Sequence, residues 1–148
     1  MSLLKKADDT TTLSEAKELG KVRSVSNDSI FANSSNEEEI YAEIGDIHGY
    51  LNELLGWGAW QAVNPEKMKG ELIAKQEYIE EILVPETKGT LRDDLERAAD
   101  GIGKAIETND TQDMLITHRI FHDLDVVMND IVVEDYWGVT ETYGSTSP

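Results

Sequence analysis

The stretch Asn36-Glu37-Glu38-Glu39-Ile40-Tyr41-Ala42-Glu43-Ile44-Gly45-Asp46-Ile47-His48-Gly49-Tyr50-Leu51-Asn52-Glu53-Leu54-Leu55 decides the fold. Ile40, Ile44, Ile47, Leu51, Leu54 and Leu55 recur at helical spacing, which places them on one face of an α-helix. Asn36 stands where an N-cap is needed, and three glutamates follow at the positive end of the helix dipole. Gly56-Trp57-Gly58 ends the segment. A helix with one apolar stripe must bury it against other elements, so matching stripes are expected elsewhere in the chain.

Three such stripes follow. Asn64-Pro65, a cap followed by proline at the first helical position, opens a segment carrying Met68, Leu72, Ile79, Ile82 and Leu83, which Pro85 stops. A third segment begins at Thr90 with Leu91, Leu95, Ala98, Ala99, Ile102, Ala105 and Ile106, and breaks at Thr108-Asn109-Asp110. Gly101-Ile102-Gly103 lies inside that pattern and is therefore not a phosphate-binding loop. A fourth runs from about Thr111 to Val133, with Met114, Phe121, Leu124, Met128 and Ile131 inward. The expectation is an all-α fold: an antiparallel up-down four-helix bundle over residues 36–137 behind a flexible N-terminal leader. The leader, residues 1–35, is polar and expected to be largely disordered or loosely packed. It holds one short helix after Thr12-Leu13-Ser14-Glu15, which has capping-box spacing, and Ile30 and Phe31 as an anchor. Residues 138–148 read as a frayed tail. Strand alternation is confined to the region of Ile131 to Trp137.

Charge limits the function classes. The 148 residues carry a net charge of -17. Residues 1–35 are balanced, with five basic and five acidic groups, whereas residues 36–148 hold 8 basic and 25 acidic groups. A surface of that sign repels phosphate backbones and anionic lipid, so direct nucleic-acid binding is not expected. It suits solubility, a basic protein or a divalent cation. The absence of cysteine removes disulfides, thiolate metal sites and cysteine nucleophiles. No apolar run approaches the roughly 20 residues of a membrane-spanning helix. Met1-Ser2-Leu3 reads as a cloning remnant in place of a signal peptide, which leans the reading towards an exported, extracytoplasmic protein.

Within the first helix, Gly45-Asp46-Ile47-His48-Gly49 resembles the first metal-binding motif of the calcineurin-like metallophosphatases. The resemblance implies a two-metal centre in an α/β sandwich, with Asp46 and His48 as ligands. It covers about ten residues. The family's Gly-Asp-x-x-Asp-Arg-Gly and Gly-Asn-His-Glu/Asp motifs are absent, and the isoleucines keep helical period through the match, so the phosphatase reading is set aside. Gly45 and Gly49 instead form, with Ala42 and Gly56, a strip of small residues opposite the apolar face. Such a strip lets another backbone approach closely. Gly45 and Gly49 are accordingly candidate partner contacts. Trp57 and Trp60 are a second candidate pair, although capping of the bundle is the simpler reading of tryptophans at helix ends.

The fourth helix carries the one cluster capable of chemistry. His118 and His122 are four residues apart and Asp125 is three further on, so all share a face. His118 and Asp125 are expected to point at the core, with His122 at its edge. Buried polar groups must be paired, which leaves two answers. One is a structural network in which Gln76, Lys75 or Tyr78 of another helix takes part. The other is a metal, zinc or iron, on His118, His122 and Asp125, with His48 or a glutamate completing the shell. Asp123, Arg119 and Arg97 read as a solvated charged face. No nucleophile constellation is evident. The sequence thus favours a non-catalytic helical module that works by protein binding or self-association, with no cofactor expected. Its alternatives are a small metal- or cofactor-binding bundle and an acidic mimic of nucleic acid that occupies a basic protein.

Overall fold

A computed structural model describes residues 11–56 and 61–144. The chain is mostly helical, as the apolar stripes require. Helix α1 spans Leu13–Glu18 and α2 spans Asn27–Ile30. The long helices are α3 (Glu37–Leu55), α4 (Lys69–Tyr78), α5 (Gly89–Thr108) and α6 (Gln112–Met128). Two short strands, β1 (Thr11–Thr12) and β2 (Asp135–Tyr136), pair antiparallel with Thr11 opposite Tyr136. Helix α6 packs on both α3 and α5, and α5 packs on both α6 and α4. None of the described helices is long and apolar enough to cross a membrane.

The predicted stripes form the interior. Ile40, Ile44, Ile47, Leu51, Leu55, Leu72, Leu91, Leu95, Ile102, Phe121 and Leu124 join one buried cluster. The α5–α6 contact is the most extensive. A Cβ on Gly101 would lie 2.2 Å from Thr117 Oγ1 and 2.8 Å from the Asp113 carbonyl oxygen, so only glycine fits where the two helices meet. Thr117 seals the contact by donating to the Ala98 carbonyl at 2.7 Å.

Local details differ from the sequence reading. Asn36 makes no side-chain cap for α3; its amide donates to Glu86 Oε1 at 2.7 Å instead, and a 3-10 turn over Ser34–Asn36 leads into the helix. After α4 the chain widens into a π-helical turn over Ile79–Leu83, then a 3-10 turn at Val84–Glu86. A wider turn rotates the residues that follow, so Ile82 leaves the stripe and is 49% exposed while Ile79 and Leu83 stay buried. Helix α6 stops at Met128, five residues early, because Asp130 adopts a left-handed conformation at φ 55°.

The described parts of the leader and tail, residues 11–31 and 138–144, are packed where loose packing was expected. Thr12 and Glu15 form the reciprocal capping box of α1, and Leu13 and Ala16 are fully buried with Val126 and Tyr136 in a second small cluster on α6. Ile30 and Phe31 join the main core. Residues 138–144, read as part of a frayed tail, run as a strap across α5 and α6. Thr140, Thr142 and Tyr143 are buried there. Two aspartates hold this strap. Asp94, fully buried, accepts from the backbone N–H of Glu141 (2.8 Å) and Thr142 (3.0 Å) and from Thr142 Oγ1 (2.7 Å). Asp123, also fully buried, accepts from the N–H of Trp137 (3.1 Å) and Val139 (3.0 Å). Carboxylates aimed at irregular backbone satisfy donors that no helix or sheet provides for.

Candidate functional site

His48 on α3 and His118 and His122 on α6 are the chain's three histidines, and all three line one cavity of about 340 Å³. Asn52 and Gly56 contribute from α3, and Ile131, Glu134, Asp135 and Trp137 from the segment after α6. The α3–α6 contact creates this grouping: Asp46 and Gly49 on neighbouring positions of α3 are exposed, whereas His48 turns towards α6.

Each of two imidazoles is backed by a carboxylate. His48 Nδ1 lies 2.8 Å from Asp125 Oδ2, and His122 Nδ1 lies 3.2 Å from Asp123 Oδ1. A carboxylate can only accept, so Nδ1 is the protonated nitrogen in both rings, and in the neutral imidazole Nε2 keeps its lone pair. Asp125 is itself fixed by the Asn129 amide at 2.6 Å. Burial alone would raise the Asp125 carboxyl, but the hydrogen bonds from His48 and Asn129 outweigh it and hold the group below its ordinary value.

Two of the ring nitrogens are unsatisfied. Nε2 of His48 and Nε2 of His118 are buried with no protein partner. His118 is pushed down to about 4, first by desolvation and then by the neighbouring His48, His122 and Arg119. It is therefore neutral near pH 7. The rings of His48 and His118 are stacked with centroids 5.9 Å apart, and those of His48 and His122 meet edge-on at 5.0 Å. Trp137 covers the far side of His122 at 4.0 Å between centroids. Glu134 Oε1 stands 4.0 Å from His122 Nε2.

These positions revise several sequence expectations. His122 is more deeply buried than His118, because the strap and Trp137 cover it. Asp123 is not part of a solvated face; it is fully buried between His122 and the strap. Lys75, Gln76 and Tyr78 do not reach the cluster through their observed contacts: Gln76 donates to the Ala99 carbonyl and Lys75 lies over the Tyr50 ring. Gly45 faces inward, not towards a partner. A Cβ there would come 3.2 Å from Asp125 Oδ1, so the glycine makes room for the carboxylate that orients His48. Gly49 does meet open space. Trp57 and Trp60 lie outside the described residues. The sequence missed the roles of Glu134, Trp137 and Asp94, since it gave residues 134–137 no place in the site and read 138–148 as a frayed tail rather than as a strap on α5 and α6.

Among the described residues, no group of three or more His, Asp or Glu side chains is placed to hold a metal ion. No protein family, curated protein or solved structure matches the chain.

Proposed function

We propose that this protein is a non-catalytic helical module that binds one transition-metal ion, zinc in the first instance and iron as the alternative, in the histidine cavity between α3 and α6. The observation that carries the reading is the pair of buried, unpartnered Nε2 atoms on His48 and His118. A buried polar atom without a partner costs about 1–3 kcal/mol, and a cation that accepts both lone pairs removes that cost. Asp125 and Asp123 behind His48 and His122 supply the carboxylate–histidine pairing that orients metal-bound imidazoles. The acidic surface adds a favourable field for a cation. The four long helices are read as an antiparallel up-down bundle whose α3–α6 seam forms the site.

Elemental analysis and thermal melting with zinc, iron, manganese or chelator test this. A ligand at 100 times its dissociation constant stabilises the fold by about 2.7 kcal/mol. Near-stoichiometric metal, with a melting shift lost in His118→Ala, is the expected result. No bound metal and no shift would overturn the reading.

A second reading, assembly through protein contact, is favoured by Val133, 79% exposed beside Val132 at 39%, and by the open space over Gly49. It predicts concentration-dependent association that Val133→Glu abolishes.

A further inference from the structure

Between α6 and β2 the chain holds two adjacent valines out in solvent: Val132 is 39% exposed and Val133 79%. We propose that this turn, residues 130–135, is a docking surface for a basic partner protein, with Val133 as the apolar anchor and Glu134 and Asp135 as the charged rim. This rests on the protein-contact reading above and goes beyond it by naming the kind of partner.

The turn is held from both sides. Leaving α6, the Asp130 N–H donates to the Val127 carbonyl at 3.3 Å and the Ile131 N–H to the Val126 carbonyl at 2.9 Å. The N–H groups of Leu13 and Ser14, in the first turn of α1, have no acceptor within their own helix. The Glu134 carbonyl takes the first at 2.8 Å and the Val132 carbonyl takes the second at 3.0 Å. Tyr136 then pairs with Thr11 and is buried beside Leu13 and Ala16. Val133 sits between two carbonyls committed to α1, so its side chain cannot turn inward without breaking that seam. A single exposed aliphatic residue is ordinary. An adjacent pair fixed on hydrogen-bonded backbone is a prepared contact, because little conformational freedom is left to lose on binding.

The charges select the partner. Residues 129–137 hold three carboxylates, Asp130, Glu134 and Asp135, and no lysine or arginine. Lys17 of α1 neutralises Asp130 at 3.0 Å. Among the described residues, neither Glu134 nor Asp135 pairs with a lysine or arginine. An apolar anchor beside uncompensated carboxylates is complementary to an apolar group flanked by lysine or arginine. It is not complementary to itself. A second copy would bring the same carboxylates, on a chain of net charge -17, against their own kind.

Fluorescence anisotropy of a labelled synthetic peptide alternating lysine and valine, titrated with the full chain, tests the assignment. Wild type should bind it, and binding should weaken as salt rises. Val133→Ser should weaken binding at least about tenfold, as loss of a central anchor does, with the melting temperature of wild type because the side chain is exposed. Glu134→Gln combined with Asp135→Asn should weaken binding and flatten its salt dependence. Glu80→Gln combined with Glu96→Gln removes the same charge from a different cavity, beside α5, and should bind as wild type does. If Val133→Ser binds unchanged, or the two charge pairs weaken binding equally, the general acidity of the chain is responsible and the assignment falls. If the peptide does not bind but the chain sediments as a dimer that Val133→Ser dissociates, the protein-contact reading stands and the basic-partner assignment falls. If neither peptide nor second copy binds, both fall.

Discussion

Two polar clusters lie beside each other in this protein, built from similar residues and differently resolved. At the strap, Asp94 is fully buried and both of its oxygens are engaged by backbone and threonine donors. At the histidine cavity, two of the rings are held by Asp125 and Asp123, yet two Nε2 atoms are buried and unpaired. A satisfied network specifies structure. On the proposed reading, a cluster satisfied on one side only is organised towards a ligand. Composition does not separate the two; the completeness of the hydrogen bonding does.

The largest effect expected from breaking the first cluster is at Asp94. Asp94→Ala leaves two backbone N–H groups without an acceptor, and leaves Thr142 Oγ1 with only Thr90 Oγ1 and Arg97 with only the Val139 carbonyl. Urea unfolding should show a loss of at least about 3 kcal/mol. A loss below about 1 kcal/mol would mean that the strap is not held as described.

Acid sharpens the contrast. His118 has its folded value lowered from 6.5 to about 4, so between those values the unfolded chain takes up a proton that the folded chain refuses. Stability should therefore fall as pH drops from 6.5 towards 4, by up to about 3 kcal/mol from this group. Asp125, held below its ordinary value, contributes stability that is present above about 4 and is lost only as pH falls further, through its folded value. His118→Leu should flatten the upper part of this acid limb in denaturant titrations at several pH values. It should also leave the metal-free protein at pH 7 within about 1 kcal/mol of wild type, since an apolar side chain replaces an unpaired polar one. An unchanged acid limb would place the sensitivity elsewhere.

Asp123 belongs to both clusters. Asp123→Asn keeps an acceptor for the strap but loses the charge that orients His122. It should cost about 1–3 kcal/mol in chemical unfolding and weaken zinc by about 10–100-fold. Stability loss with unchanged zinc affinity would separate the clusters that the structure joins through this residue.

The α3 helix and the core stripe were legible because a 3.6-residue period leaves a direct trace in the sequence. Ile40, Ile44, Ile47 and Leu51 are each buried as that period requires. The members of the site on α6 were legible for the same reason, and His48 was placed as an outside candidate. What tertiary structure alone decides was not legible. Gly45 gave no hint that its missing Cβ seats Asp125. Asp123 looked like a surface charge because its partners, the N–H groups of Trp137 and Val139, are backbone atoms with no sequence signature. The strap follows from those contacts, not from any periodicity of its own. Ile82 went astray because a π-helical turn, which has no compositional mark, rotates it out of the stripe.

On the proposed reading, the buried, unpartnered imidazole nitrogens are ligand atoms. Nitrogen NMR of the histidine side chains, in protein titrated with zinc at pH 7, reads those atoms directly. The account predicts that the Nε2 signals of His48, His118 and His122 shift together and saturate at one zinc per chain, while Nδ1 of His48 and His122 stays protonated against Asp125 and Asp123. Unshifted Nε2 signals at saturating zinc, or shifts confined to Nδ1, would contradict it.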